Sequence, residues 1–474
     1  MSRLRLALLI FAAFIISIDF NIVYVALPDI GHELGFTAQS LQWVVSAYAV
    51  GLGGLLLLGG RAVDRLGARR MFVLGLAIFG LASLAGGLAG SPGVLVAARV
   101  VQGMGGALLF PATLALINNT FAAGPARNRA LSLWGVAGSL GAVAGPMAGG
   151  VITNFLGWEW IFFVNAPLTL AAGVAALRVL TPDAGGYAWG GFDLPGALVA
   201  TAGSTLVVFG LASGPDAGWG STRGAGALAV GGLLLGAFVL IERAARDPLA
   251  PPRLFGVRSL VTMMALIFVL MGAINTLHYI FYLDVQEVLG YSALGAGLAF
   301  LPMSVMSIVG AAKLLPWLLS RLGMRGALFT GVLGVGLSMA AVAAGMSAGG
   351  SYWRLLPGIV FLGLFAGMVY PMIFLASGAD VSGGEQGVAS ALVSTSQQIG
   401  GAVGLAALVA VANAGLDVDA GAAPAAELVA GLRRAGWVAA AMAVAGAFLI
   451  LRLKRAEQRE PEPVAAELSV GPLP

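Results

Sequence analysis

Apolar positions in this chain do not alternate with polar ones. They run together in stretches of about 20 residues, separated by short polar breaks, along nearly the whole sequence. A run of that length is what a helix needs to cross the roughly 30 Å hydrocarbon core of a bilayer. Such runs lie near 6–28, 42–60, 71–90, 93–117, 130–152, 161–180, 194–213, 224–241, 260–283, 293–318, 326–347, 355–376, 387–412 and 435–451, which predicts about fourteen spans. Most of the breaks are too short to fold as soluble domains. The first run contains Asp19 and lacks a small-residue cleavage site, so it reads as a retained span and not as a signal peptide.

Composition fits that pattern. Of 474 residues, 59% are hydrophobic and 10% charged, with a mean hydropathy of +0.96. A soluble domain carries about 25% charged residues, so too few remain here to cover a water-exposed surface. The 71 glycines suit close helix packing in lipid. Cysteine is absent and histidine occurs twice, which excludes disulfides and thiol nucleophiles and leaves no ligand set for a His-based metal site. The pattern therefore predicts an all-α integral membrane protein without cofactor or metal, whose partners are the bilayer and a small molecule and not nucleic acid.

The basic residues orient the spans. If the N-terminus is cytoplasmic, 19 Lys and Arg fall in cytoplasmic segments and 4 outside, namely Arg223, Arg354, Arg433 and Arg434; Arg99 and Lys313 lie within spans. Cytoplasmic loops are enriched in Lys and Arg, so both termini are expected inside with an even number of spans.

The two ends of the chain repeat each other at a nearly constant offset. Leu34-Gly35-Phe36-Thr37-Ala38 matches Leu289-Gly290-Tyr291-Ser292-Ala293, and Arg65-Leu66-Gly67-Ala68-Arg69 matches Arg321-Leu322-Gly323-Met324-Arg325. Gly103 and Phe110-Pro111 match Gly363 and Tyr370-Pro371, and Gly141 and Gly145 match Gly400 and Gly404. The repeat unit is six spans, with the spans at 194–213 and 224–241 inserted between the halves. Parallel six-span repeats form transporters with the site between the two halves. The expected organisation is a six-helix lobe over 1–180, two extra helices with linkers over 181–258, a second six-helix lobe over 259–455, and a disordered cytoplasmic tail over 456–474.

These residues resemble the major facilitator superfamily, and within it the drug:proton antiporter family with fourteen spans, the multidrug and antibiotic resistance exporters. Gly60-Arg61-Ala62-Val63-Asp64-Arg65-Leu66-Gly67-Ala68-Arg69-Arg70 is similar to the superfamily signature between spans two and three. Arg99, Gln102, Gly103 and Gly106 resemble the span-four motif. Gly141, Gly145-Pro146 and Gly149-Gly150 resemble the span-five motif associated with antiporters. Asp19 to Asp29 resembles the first-span motif, with Asn21 and Tyr24 where the family usually has Thr and Asn. Trp158 to Pro167 is also typical, with Glu159 where Arg is frequent. The resemblance implies a monomeric, non-enzymatic secondary transporter of the major facilitator fold in the cytoplasmic membrane of a bacterium. It would use protons as coupling ion to export small amphipathic molecules by alternating access.

Several residues carry candidate chemistry. An ionised Asp at a helix centre costs about 2.5–3.5 kcal/mol to insert, so Asp19 is either fixed by hydrogen bonds or an Arg, or it exchanges a proton between the two sides and can also attract a cationic substrate. Arg99 stays charged; the resemblance assigns it to proton coupling with Asp19, and the alternative is a buried anchor for the first span. Neither residue repeats in the second half, where Ile274 and Ile359 take their places. The 60–70 segment reads as a compact turn bracketed by Gly60 and Gly67. The resemblance makes Gly60, Asp64, Arg65, Gly67, Arg69 and Arg70 a cytoplasmic gate, with Asp64 contacting the other half.

Gly141, Gly145 and Gly149 form a stripe on span five, with Pro146 and Gly150 beside it, and the resemblance packs that helix against the second half. Asn21 and Tyr24 share one side of the first helix, nearly opposite Asp19. With Gln102, Asn275, His278, Tyr282, Ser394 and Gln397 they are the candidates for the substrate cavity. No Gly-rich Lys-Ser/Thr phosphate loop is present, which argues against ATP-driven pumping. Three rivals stay open: a proton-coupled uptake symporter on the same fold, a lipid or envelope-precursor flippase, and a channel or receptor.

Overall fold

The structure is a computed structural model that describes residues 2–37, 39–122, 124–183, 194–245, 248, 252–381, 385–414 and 425–452. The tail expected over 456–474 lies outside the described residues. The described residues form helices, several of them joined by short turns. The first half comprises α1 (Ser2–Leu34), α2 (Trp43–Leu66), α3 (Ala68–Gly87), α4 (Pro92–Thr120), α5 (Pro125–Leu156), the single turn α6 (Trp160–Phe163) and α7 (Asn165–Val179). Then come α8 (Leu194–Ala217) and α9 (Ala227–Ala244). The second half comprises α10 (Arg258–Leu283), α11 (Ala293–Val309), α12 (Leu315–Gly345), α13 (Tyr352–Ser377), α14 (Gln386–Asn413) and α15 (Ala425–Leu449). Pro92 and Pro125 open α4 and α5, where the missing N–H has no helical partner to lose. With no water in the bilayer core, helices alone satisfy every backbone group within one segment.

Twelve helical stretches among the described residues are long and apolar enough to cross a membrane, so the expected count of fourteen is not confirmed. The difference arises at two places. The runs expected at 293–318 and 326–347 are joined in one helical stretch, Ala293–Gly345, of 53 residues. At 1.5 Å per residue that is about 80 Å, well over twice the hydrocarbon thickness. It is interrupted at Gly323, whose φ of +64° is outside the helical range. The run expected at 194–213 falls in α8, whose apolar stretch Leu198–Leu211 is shorter than a full crossing.

The duplication is visible in the backbone. Gly35 and Gly290 both sit at φ +70°, and Gly67 and Gly323 sit at +104° and +64°. These pairs match at the offsets of the sequence repeat, and each occupies a left-handed conformation that only glycine adopts freely. Packing repeats as well. Gly103 on α4 lies against the backbone of α2 at Tyr48, and Gly363 on α13 lies against the backbone of α11 at Met303. Gly141 and Gly145 on α5 bring α1 close at Ser17, Ile18 and Asn21, while Gly400 and Gly404 on α14 bring α10 close at Phe268 and Gly272.

The halves meet through α5 on α11, α2 on α14, and α1 on α10. Span five does pack on the second half, as expected, but not through its glycine stripe. The stripe Gly141, Gly145 and Gly149 faces α1 of its own half; Pro146 and Gly150 face α11, whose Gly297 approaches the carbonyl of Pro146. Helical spacing defines the smooth face but not which neighbour it meets. At the end remote from Arg61–Arg70, the Gln286 amide donates to the Val25 carbonyl (2.9 Å) and His32 Nε2 lies 3.5 Å from Glu287. Helix α8 lies against both α2 and α14, with Thr201 on Gly54 and Phe209 beside Trp43, whereas α9 packs on α8 alone among the longer helices.

A Cβ at position 145 would stand 2.8 Å from the Asn21 Cβ and 3.0 Å from the Ile18 carbonyl. Overpacking of this kind costs about 1–3 kcal/mol. Gly145→Val is therefore expected to lower the unfolding temperature of the purified protein. Gly232→Ala on α9, where a Cβ meets nothing within 4 Å, should leave it unchanged or slightly raised.

Candidate functional site

Asp19 and Arg99 come together deep in the first lobe. Asp19 is 0% exposed and Arg99 1%. Arg99 NH1 donates to Asp19 Oδ2 at 3.0 Å and to Gln102 Oε1 at 2.6 Å, and Arg99 Nε donates to the Val44 carbonyl at 2.9 Å. Gln102 Nε2 donates to Asp19 Oδ1 at 2.8 Å and to Ser83 Oγ at 2.8 Å. Asn165, the first residue of α7, donates to Asp19 Oδ1 at 2.6 Å. The guanidinium stacks over the Tyr48 ring, 4.5 Å from its centroid, and lies 5.8 Å from that of Phe162. Five helices thus contribute to one charge: α1 the carboxylate, α4 Arg99 and Gln102, α2 Val44 and Tyr48, α3 Ser83, and α7 Asn165.

Each donor has a sequence reason for being there. Arg99 and Gln102 are three apart on α4 and share a face. Gly103 and Gly106 next to them let α4 approach α2 closely enough for the Val44 contact. Ser83 is oriented by donating to the Phe79 carbonyl one turn back. A charge in low dielectric is tolerated when it is both paired and hydrogen-bonded, and Asp19 meets both conditions.

Gln102 was expected in the substrate cavity. It is 1% exposed and its amide is engaged by Arg99, Asp19 and Ser83, so it belongs to the charge network instead. Asn165 and Ser83 escaped the sequence reading as members of the site. Asn165 lies in the quoted Trp158–Pro167 motif, which was the available signal; Ser83 had none.

The expected gate differs in form. Residues 60–66 are the last turns of α2 and α3 starts at Ala68, so Gly60 is helical and only Gly67 makes the turn. Gly67 is required twice over, by its positive φ and because a Cβ there would collide with the Asp183 carboxylate. Asp183 accepts from the backbone N–H of Arg69 and Arg70, each at 3.0 Å, and so caps α3 from the far end of α7. Arg69 also donates to the Leu177 carbonyl, Arg70 to that of Leu66, and Arg61 to that of Pro248. Asp64 is exposed, with Arg61 and Arg65 as its charged neighbours. Its expected contact with the second half is not among the hydrogen bonds and ion pairs of the described residues.

The remaining candidates fall in three places. Tyr24 on α1 meets His278 (5.6 Å between ring centroids) and Tyr282 (6.4 Å) on α10, across the seam between the lobes. Phe300 on α11 lies 5.0 Å from His278 and 5.4 Å from Tyr282. Asn275 lies one turn away on α10, against Gly401 of α14. Gln397 accepts from the Tyr370 hydroxyl at 3.1 Å, and Ser394 is buried one turn before it on α14. Asn21 donates to the Ser17 carbonyl and packs on Gly145. Among the described residues no three acidic or histidine side chains come together as a metal site would need.

Comparisons with known proteins place this arrangement. The model of the Major Facilitator Superfamily matches residues 9–405. The cephamycin export protein CmcT of Amycolatopsis lactamdurans is 39% identical over 423 residues, covering 85% of this chain and 84% of that protein. The puromycin resistance protein pur8 of Streptomyces alboniger is 39% identical over 434 residues, covering 89% and 84%. Among solved structures, a D-xylose–proton symporter superposes with a TM-score of 0.66 at 16% identity, covering 94% of this chain and 96% of that one, a likeness of fold.

Removing one partner of a buried ion pair leaves the other charge uncompensated, at a cost of about 3–5 kcal/mol. Asp19→Asn and Arg99→Met are each expected to destabilise the purified protein on that scale. The double variant should lose clearly less than the two single losses together, as a thermal-unfolding cycle would read out.

Proposed function

The chain belongs to the Major Facilitator Superfamily, and from that premise we propose that it is a proton-coupled exporter of small amphipathic molecules, an antiporter that works by alternating access. The observation that carries this reading is the sealed Asp19–Arg99 pair, a single carboxylate on which five helices converge. The relatives named for antibiotic export and resistance, each aligned over more than four-fifths of this chain, support the direction of transport. The distribution of basic residues supports cytoplasmic termini, and in this reading the protein acts as a monomer.

The chemistry follows from the donor set. Ionised Asp19 accepts from Arg99, Gln102 and Asn165 and holds α1 against α4 and α7. A proton on Asp19 removes the charge that Arg99 compensates and turns one accepting oxygen into a donor. Arg99 keeps the Val44 carbonyl and the Tyr48 face, so it remains anchored on α2 while its grip on α1 weakens. Protonation thus selects between two arrangements of α1, which is what exchange between the two sides of the membrane requires. A proton moving inward releases about 2.3 kcal/mol per 100 mV. At about 1.4 kcal/mol per tenfold ratio, that sustains roughly a fiftyfold gradient of a neutral solute.

Proteoliposomes holding a pH-sensitive dye test this directly. Addition of an exported compound under an imposed pH gradient should move protons with wild type and not with Asp19→Asn. Equal proton movement in both would remove Asp19 from the coupling step. Orientation has its own test, since the chain lacks cysteine. In intact cells a membrane-impermeant maleimide should label Ser351→Cys, at the exposed start of α13, and spare Ala122→Cys after α4; the reverse pattern would invert the topology.

A further inference from the structure

Three polar atoms at the seam between the lobes are buried and have no hydrogen-bond partner, Tyr24 Oη, His278 Nε2 and Tyr282 Oη, and the same holds for Asn275 Oδ1 one turn away on α10. Orphaned groups of this kind are uncommon in folded proteins and call for a specific cause. These four are not scattered. Tyr24 reaches from the first lobe onto the rings of His278 and Tyr282 in the second, and Phe300 closes the cluster from α11. Tyr24, Tyr282 and Asn275 are each at least nine-tenths buried, at 1%, 1% and 3% exposure. The walls are aromatic, the tips are donors and acceptors, and none of the four carries a carboxylate or an amine.

The nearby carboxylates are turned away. Asp19 is on the same helix as Tyr24, five residues earlier and so roughly 140° around it. It is 0% exposed, and both its oxygens are engaged by Arg99, Gln102 and Asn165. Asp284 follows Tyr282 by two residues, roughly 200° around the helix, at the start of a π-turn that packs on α15. At the repeat position of Asp19 the second lobe has Ile274.

Resting on the exporter reading, we infer that the seam recognises an uncharged aromatic molecule by its hydroxyl, amide or carbonyl groups, and that Asp19 handles protons without touching the substrate. A flat ring stacks against Tyr24, Tyr282 and Phe300. Its polar substituents satisfy the phenols, the imidazole and the Asn275 carbonyl, which otherwise stay unpaired. Aromatic faces alone also hold permanent cations, but a cation such as tetraphenylphosphonium has no group to offer the four polar tips. A site built to hydrogen-bond its ligand discriminates strongly against one that lacks those groups.

Counterflow in proteoliposomes separates these possibilities, because exchange of labelled for unlabelled solute needs no net proton movement. The uncharged set is chloramphenicol with other neutral aromatic antibiotics; the cation set is tetraphenylphosphonium and methyltriphenylphosphonium, neither of which carries a hydrogen-bonding group. Wild type should exchange members of the uncharged set and not the cations. Tyr24→Phe with Tyr282→Phe keeps both rings and removes both hydroxyls, so the fold is kept, as an unchanged gel-filtration profile would show; exchange of the uncharged set should fall tenfold or more.

Cation exchange by wild type, whether or not Asp19→Asn abolishes it, would overturn the substrate class and leave the exporter reading standing. Undiminished exchange in the double phenylalanine variant would overturn the assignment of the seam. Absence of exchange for every compound in both sets would count against the exporter reading itself.

Discussion

An ionised carboxylate in the middle of a membrane helix has to be compensated, and in this protein the first lobe is arranged to do so. Asp19 takes one charged donor and two amide donors, and these come from α4 and α7. The donors are themselves fixed by α2 and α3, through the Val44 carbonyl and Ser83. Lipid offers little hydrophobic reason for helices to associate, because acyl chains are as apolar as the side chains they would displace. Directional contacts therefore weigh more than they would in water. The Asp19 network supplies them across five helices, and the glycines beside it, Gly103 and Gly106, bring α4 near enough to α2 for it to close.

The two lobes use the same scaffold differently. Residues that let backbones approach recur in both: Gly35 and Gly290, Gly67 and Gly323, Gly103 and Gly363, Gly141 and Gly400, Gly145 and Gly404. The charge network does not recur, since Ile274 and Ile359 stand where Asp19 and Arg99 would repeat. Backbone geometry is shared because each half has to solve the same packing problem. A second buried ion pair would add a second desolvation cost without a packing requirement that demands it. The asymmetry confines the buried ion pair to one lobe and leaves the other with aromatic, imidazole and amide groups at the seam.

Much of this was legible in the sequence, for identifiable reasons. Run length marks membrane helices, and a fixed offset between short motifs marks duplication; both are one-dimensional signals. The pairing of Asp19 with Arg99 was within reach because both lie inside apolar runs and the family resemblance links them in proton coupling. What periodicity cannot supply is the identity of the neighbour. It defined the smooth face of Gly141, Gly145 and Gly149, yet that face lies on α1 while Pro146 and Gly150 meet the other lobe. It put Gln102 on a polar face without revealing that the face closes on Asp19. Ser83 and Asp183 act on residues far off in sequence, and a single serine or a post-helical aspartate gives no local sign of that. The 60–70 segment misled for another reason: its charges read as a loop, whereas one glycine with positive φ is enough to turn α2 into α3.

Helix α1 is where the two halves of the proposed mechanism join. It carries Asp19 on a face turned into its own lobe and Tyr24 on a face turned to α10, with the glycine stripe of α5 along a third side. A stripe without side chains offers few interlocking knobs, so it resists translation or rotation of α1 less than ridges and grooves would. The far end of α1 is tied to the other lobe only through the Val25 carbonyl and the His32–Glu287 contact among the polar links described. A change in the charge of Asp19 acts on a helix held firmly at one point and guided along a smooth track. Any displacement it produces moves Tyr24 against His278 and Tyr282. Proton and substrate need not share a site for their binding to be coupled; it suffices that one helix presents a separate face to each.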